Sequence, residues 1–127
     1  MQVLESELLF DREGRTFYWH LPSTRTAGYI PGTWEVWQAM WENRHRMGGM
    51  AHTHPWNGDA WYSQEDVTTW SACDLGLGRR MVWVVVTFDQ VAYYQWTGPG
   101  KYDYGIIQPD FRVEDIEELR RRSIVAG

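Results

Sequence analysis

Apolar and polar positions alternate along this chain in two distinct periods. Residues 3–10 are mostly apolar, interrupted by Glu5, Ser6 and Glu7, and the turn-forming Asp11-Arg12-Glu13-Gly14 separates them from an aromatic and β-branched run over 16–21. Together these runs predict a β-hairpin. Residues 22–32 mix Pro, Ser, Thr and Gly without periodicity and read as a loop. Thr33 then precedes Val36, Trp37, Met40 and Trp41, whose spacing marks one face of a helix running to about residue 46, with Gly48-Gly49 expected to stop it.

A short apolar strand follows over 50–54 and is closed by Pro55. After a turn-rich loop, Ser63 and the acids Glu65 and Asp66 signal the start of a second helix, which carries Val67, Trp70, Ser71 and Asp74 and ends near Gly76 to Gly78. Residues 81–88 form a continuous apolar run, and 91–96 pairs with it; these two strands are expected at the centre of the sheet. A last strand is predicted over 104–107, and a charged amphipathic helix over 113–124 with Val113, Ile116, Leu119 and Ile124 inward. The succession predicts an α/β, more narrowly α+β, fold in one domain over 1–127.

Length changes this picture little, since 127 residues hold one hydrophobic core but not eight strand-helix units. With 12 Lys+Arg against 17 Asp+Glu, the net charge of -5 argues against a nucleic-acid surface. No apolar run approaches membrane-spanning length, and the opening residues lack the pattern of a targeting segment, so a soluble cytoplasmic protein with no membrane partner is expected. The single Cys73 makes no internal disulfide, fits a reducing compartment and leaves any metal site to His and carboxylates; it reads as a small core residue.

Aromatic residues make up 16% of the chain, with nine Trp. Trp34, Trp37, Trp41, Trp70, Trp83 and Trp96 fall in predicted regular elements and are core candidates. Trp56, Trp61 and Tyr62 instead crowd the loop after Pro55.

Candidate chemistry gathers around that loop. On a strand, His52 and His54 face the same side with their Cα atoms roughly 6.5–7 Å apart, so two imidazoles converge on one cation. A hydrolytic zinc needs a third protein ligand, and Asp66 in the first turn of the next helix is placed to supply it. Ser63 lies one turn earlier and brings its hydroxyl to the same pocket. His20 and His45 have no partner at ligand spacing, and Glu35 and Glu42 read as a solvated helix face.

The stretch His52-Thr53-His54-Pro55, followed after a short loop by Ser63-Gln64-Glu65-Asp66, resembles the signature of the JAMM zinc metalloproteases, the metal-dependent members of the MPN family that includes the prokaryotic JAB-type domains. That signature is a distant Glu, His-[Ser/Thr]-His-Pro, and then Ser-x-x-Asp. The resemblance implies a mixed central β-sheet flanked by helices in a cytidine-deaminase-like architecture. It also implies zinc bound by His52, His54 and Asp66, a general base from Glu5 or Glu7, and Ser63 as oxyanion donor. Glu5 and Glu7 share a strand face, so parity does not choose between them; the Leu8-Leu9-Phe10 that follows suits Glu5 better.

The implied activity is hydrolysis of an amide or isopeptide bond in a peptide or a ubiquitin-like or small sulfur-carrier protein conjugate or precursor. Trp56, Trp61 and Tyr62 would wall a substrate-binding cleft around an extended tail, with Asn57-Gly58-Asp59 at its mobile tip. Family members often work inside larger assemblies, and a homo-oligomer or such an assembly is compatible with the exposed aromatics. Two alternatives keep part of the pattern. One is a catalytically inactive MPN-like scaffold or binding domain. The other is a cupin-type small barrel, which would want a Glu shortly after the second His and a later His, whereas positions 58 and 59 are Gly and Asp and no His follows His54.

Overall fold

A computed structural model describes residues 1–126. The hairpin of β2 (Glu7–Asp11) and β3 (Thr16–His20) leads through a long loop to α1 (Trp34–Glu42). The chain continues through β4 (Met47–Thr53), α2 (Gln64–Leu77), β5 (Val82–Val86), β6 (Val91–Trp96), β7 (Tyr104–Ile107) and α3 (Ile116–Arg122). Short terminal strands, β1 (Gln2–Val3) and β8 (Ile124–Val125), pair antiparallel with each other. The main sheet has six strands in the order β3-β2-β4-β5-β6-β7. Its neighbours are antiparallel except for β4 and β5, which run parallel with α2 as the crossover between them. The mixed sheet with three helices is the α+β fold expected from the succession of elements.

Period-two alternation divides the core between the two sheet faces. Leu9, Met50, Trp83, Val85 and Tyr94 pack under α1 and α2, against Val36, Met40, Val67, Trp70, Cys73 and Leu77. Leu8, Phe10, Ala51, Val84, Val86 and Tyr93 point the other way, toward Val113 and Leu119. All five residues of β5 are buried because both of its faces are covered, which is why its sequence reads as an unbroken apolar run. On the α2 side Trp70 stacks on Trp83 at 5.9 Å between centroids. Asp74 of α2 fixes the far end of that stack, accepting from the Met81 N–H (3.0 Å), the Trp83 indole N–H (3.2 Å) and the Tyr104 hydroxyl (2.7 Å).

The structure departs from the sequence reading in several places. The centre of the sheet is β4 and β5, and β6 lies one strand further out, because the parallel crossover places β4 beside β5. The first strand is interrupted between Val3 and Glu7, where the Glu5 N–H leaves the ladder to bond the Thr26 carbonyl (2.8 Å). Helix α1 ends at Glu42, where Asn43 caps Ala39 through its side-chain amide (2.7 Å), and Gly48 and Gly49 lie inside β4 rather than stopping a helix. At Gly49 the backbone of β5 comes so close that a Cβ would collide with the Val82 carbonyl. Helix α3 begins only at Ile116; Val113 is buried ahead of it, its N–H bonded to the Tyr93 hydroxyl, and Ile124 is exposed in β8. Trp34 and Trp41 are exposed rather than core, Trp41 stacking on Trp37 with the Arg44 guanidinium 4.0 Å over its ring. Among the described residues no helix is long and apolar enough to cross a membrane.

Replacing Gly49 by Ala forces β4 and β5 apart and should lower stability by about 3 kcal/mol or abolish folding. Gly32→Ala, where nothing lies within 4 Å of the new methyl, should change it by less than about 0.5 kcal/mol. Urea denaturation of the two variants checks the contrast.

Candidate metal centre

Each member of the His-His-Asp cluster is set by an element whose own sequence dictates its position. Strand β4 brings His52 and His54 out on one side at its carboxyl end, beside the crossover to α2. Crevices at the carboxyl ends of parallel strands are where α/β sheets characteristically place ligands. Thr53, between them, points to the opposite face and is anchored there. Its hydroxyl accepts from the Ser6 N–H (2.8 Å) and lies 2.6 Å from the Ser123 hydroxyl, while the Ser6 hydroxyl donates to the Leu119 carbonyl (2.7 Å). This buried hydroxyl cluster ties the His-bearing segment to the end of α3.

Asp66 arrives from the other side by way of a capping box. The Ser63 hydroxyl accepts from the Asp66 N–H (3.1 Å), and Asp66 Oδ2 accepts in return from the Ser63 N–H (2.8 Å). The positive end of the α2 dipole favours this carboxylate as an anion. Ser63, having accepted through its oxygen, keeps its own O–H proton to donate.

These constraints converge. His52 Nε2 lies 3.1 Å from His54 Nε2 and 3.1 Å from Asp66 Oδ1, and His54 Nε2 lies 3.1 Å from Asp66 Oδ2. Ligands about 2.0–2.1 Å from a tetrahedral zinc would stand roughly 3.3 Å from one another, so the spacing fits a single small cation. The donor set fits as well, two imidazole nitrogens and one carboxylate oxygen being ligands zinc accepts. Both imidazoles are buried, and His54 Nδ1 has no hydrogen-bond partner among the described residues. The group can therefore hold a metal ion through His52, His54 and Asp66.

Two further carboxylates stand next to the ligands. Glu7 sits directly across the β2–β4 ladder from His52, and Glu5, whose N–H has left the ladder for Thr26, lines the same cleft. Each is only 7% exposed. Burial raises Glu5 to about 7 and Glu7 to about 8; the charge of His52 opposes the rise, and Asp66 reinforces it. For His52, burial alone would lower the pKa, but the contacting Asp66 carboxylate, with Glu5 and Glu7 nearby, lifts it to about 9. Asp66 is buried too, yet the charge of His52 and the hydrogen bonds from both imidazoles and the Ser63 N–H hold it far below the ordinary carboxylate range.

All nine residues singled out in the sequence, Glu5, Glu7, His52, His54, Trp56, Trp61, Tyr62, Ser63 and Asp66, line one cleft of about 380 Å³. Trp56 stacks on His54 with centroids 4.8 Å apart and is half-exposed, as is Trp61. Tyr62 also belongs to the core, edge-on to Trp70 at 5.6 Å and to Tyr94 at 5.0 Å. The loop tip expected to be mobile is tied down. Asp89 accepts from the Gly58 N–H (2.8 Å), Thr87 donates to the Gly58 carbonyl (2.7 Å), and the Phe88 N–H bonds the Trp56 carbonyl (2.9 Å).

The sequence reading missed Tyr29 and Ile30, which join the wall from the loop after β3, and Glu65 and Thr69 from the first turns of α2. An aperiodic loop carries no signal of where it docks. The docking is set partly by His20, whose buried ring bonds the Pro31 carbonyl (2.7 Å). His20 and His45 lie outside the cleft, as expected, and burial pushes the Cys73 thiol up to about 12, leaving it inert. The sequence matches no protein-family model and no curated protein at a significant level.

One equivalent of zinc should bind per chain, and Asp66→Ala and His52→Ala should each abolish it, as read by elemental analysis after gel filtration. Free zinc at a hundred times its dissociation constant should stabilise the wild type by about 2.7 kcal/mol and leave the variants unmoved.

Without metal, the folded protein keeps protons on Glu5 and Glu7 that the unfolded chain releases near pH 4.5. Their contribution is therefore full below that pH and is lost as pH rises to about 8, and the raised His52 adds a further loss between 6.5 and about 9. The melting temperature of metal-free protein should thus fall from pH 5 to pH 9, and Glu5→Gln with Glu7→Gln should flatten the first part of that fall.

Proposed function

We propose that this chain is a zinc-dependent metallopeptidase of JAMM type, an MPN-like domain of cytidine-deaminase-like architecture that hydrolyses amide or isopeptide bonds. The observation that carries the reading is one cleft joining a convergent His52, His54 and Asp66 to a free Ser63 hydroxyl and to two buried carboxylates. The order of elements around it also supports the reading: a Glu-bearing hairpin, a helix, the His-x-His strand, the Ser-x-x-Asp helix and a strong strand pair. The six-stranded sheet is open, with β3 and β7 at its edges, which is not the closed barrel of a cupin.

Zinc held by His52, His54 and Asp66 would supply Lewis acidity for the scissile carbonyl and lower the pKa of water toward neutrality. Glu5, in the cleft wall just ahead of β2, takes the proton of the attacking water and passes it to the leaving amine. A buried carboxyl lining the cleft beside these ligands can accept a proton from water and return it. Ser63 donates its O–H to the developing oxyanion. Trp56, Trp61 and Tyr62 offer flat walls for an extended chain, in keeping with the C-terminal tail of a ubiquitin-like or sulfur-carrier protein as substrate in the cytoplasm.

Zinc-loaded protein should cleave members of an internally quenched peptide library, and removal of the metal should stop it. Glu5→Gln should keep the zinc and lower kcat by roughly 10²–10⁴, and Ser63→Ala by roughly 10²–10³. Absence of zinc-dependent cleavage, with folding and metal content intact, refutes the proposal.

A further inference from the structure

We infer that the cleft is built to recognise an organic ammonium group, so that its ligand carries a lysine-like or amino-terminal cation beside the metal centre. Sixteen residues line the cleft; four are carboxylates, Glu5, Glu7, Glu65 and Asp66, and none is Lys or Arg. A divalent ion on His52, His54 and Asp66 would still leave Glu5, Glu7 and Glu65 with no cationic side chain of the lining beside them. Two of the four are more than nine-tenths buried, yet their side chains have no hydrogen-bond or ion-pair partner among the described residues, while both face the cavity. A buried carboxylate ordinarily has a partner, and hydrolysis of an amide uses only one general base. The second carboxylate is therefore available to a ligand.

The shape of the site distinguishes an ammonium from a second metal ion. His52, His54 and Asp66 are the convergent metal-ligating group among the described residues; Glu5 and Glu7 complete no other. Dispersed carboxylates suit a cation that keeps three N–H donors to share. The walls suit the same guest, since Tyr29, Trp56 and Trp61 are each about half exposed and present ring faces that attract ammonium and its alkyl stem. An anionic ligand would find no Lys or Arg in the lining to pair with.

The inference uses the cleft of the proposed hydrolase, but it concerns binding and is tested without turnover. Zinc-loaded protein is titrated calorimetrically with Nα-acetyl-lysine methylamide, with its Nε-acetylated neutral counterpart and with Nα-acetyl-glutamate methylamide. The lysine compound should bind about tenfold or more tightly than the neutral one, less so as salt is raised, and the glutamate compound most weakly. Glu7→Gln should erode the preference; Glu65→Gln, on an exposed first turn that folds regardless, should do the same, whereas Glu42→Gln on α1 should not. Equal binding of the lysine and acetyl-lysine compounds, or a preference that survives Glu7→Gln and Glu65→Gln together, overturns the inference. A lysine preference without any peptide cleavage refutes the hydrolase and leaves this inference standing; cleavage indifferent to neighbouring charge does the reverse.

Discussion

The contact of one carboxylate with two imidazoles is the constraint around which this chain is arranged. Asp66 lies 3.1 Å from both Nε2 atoms in a region from which water is largely excluded, where an unpaired charge would be prohibitive. Holding it there requires β4 at the middle of the sheet, α2 directly after it, and a cap that fixes the carboxylate by its other hydrogen bond. The parallel β4–β5 pair, the crossover helix and the tethered loop from Pro55 to Tyr62 are the means by which a short chain meets those requirements. Even the close approach at Gly49 belongs to them, because β4 reaches the metal cluster only by running tightly along β5.

Charge is distributed unevenly as a result. The cleft collects carboxylates on the side of α2 nearest its start, while the buried Asp74 near its end is consumed by donors from Met81, Trp83 and Tyr104. The two acidic regions thus serve opposite ends: the first leaves carboxylate oxygens open to a ligand, and the second uses them to orient an aromatic stack. That stack runs through Trp70 to His52, 6.5 Å between centroids and edge-on, so it backs the first of the candidate ligands.

What could be read from the sequence follows the range of the interactions involved. The convergence of His52 and His54 rests on strand parity, and the place of Ser63 and Asp66 on helix-capping chemistry; both act over a few residues, so both were legible. The shared face of Glu5 and Glu7 was legible for the same reason, although Glu5 leaves the ladder to bond Thr26, which no local pattern announces. Gly48 and Gly49 were misread because their role is set by the backbone of Val82 and by Asp11, distant in sequence. Trp34 and Trp41 satisfy the helical spacing of a core face but are exposed, and Tyr29 reaches the cleft from a loop with no period at all. The residues of the metalloprotease-like signature meet in one cleft, but the burial of Glu5 and Glu7 without a side-chain partner there depends on contacts distant in sequence.

The capping box has one more consequence. Because Ser63 orients Asp66 and Thr53 anchors the segment that carries the two histidines, the placing of all three candidate ligands is supported by hydrogen bonds of the chain itself. Small domains whose metal ligands hang on loops fold only as they bind, and their metal is locked in by the barrier to unfolding. Here the three candidate ligands belong to the end of a central strand and the first turn of a capped helix, so their alignment rests on elements that the sheet and the capping box already hold.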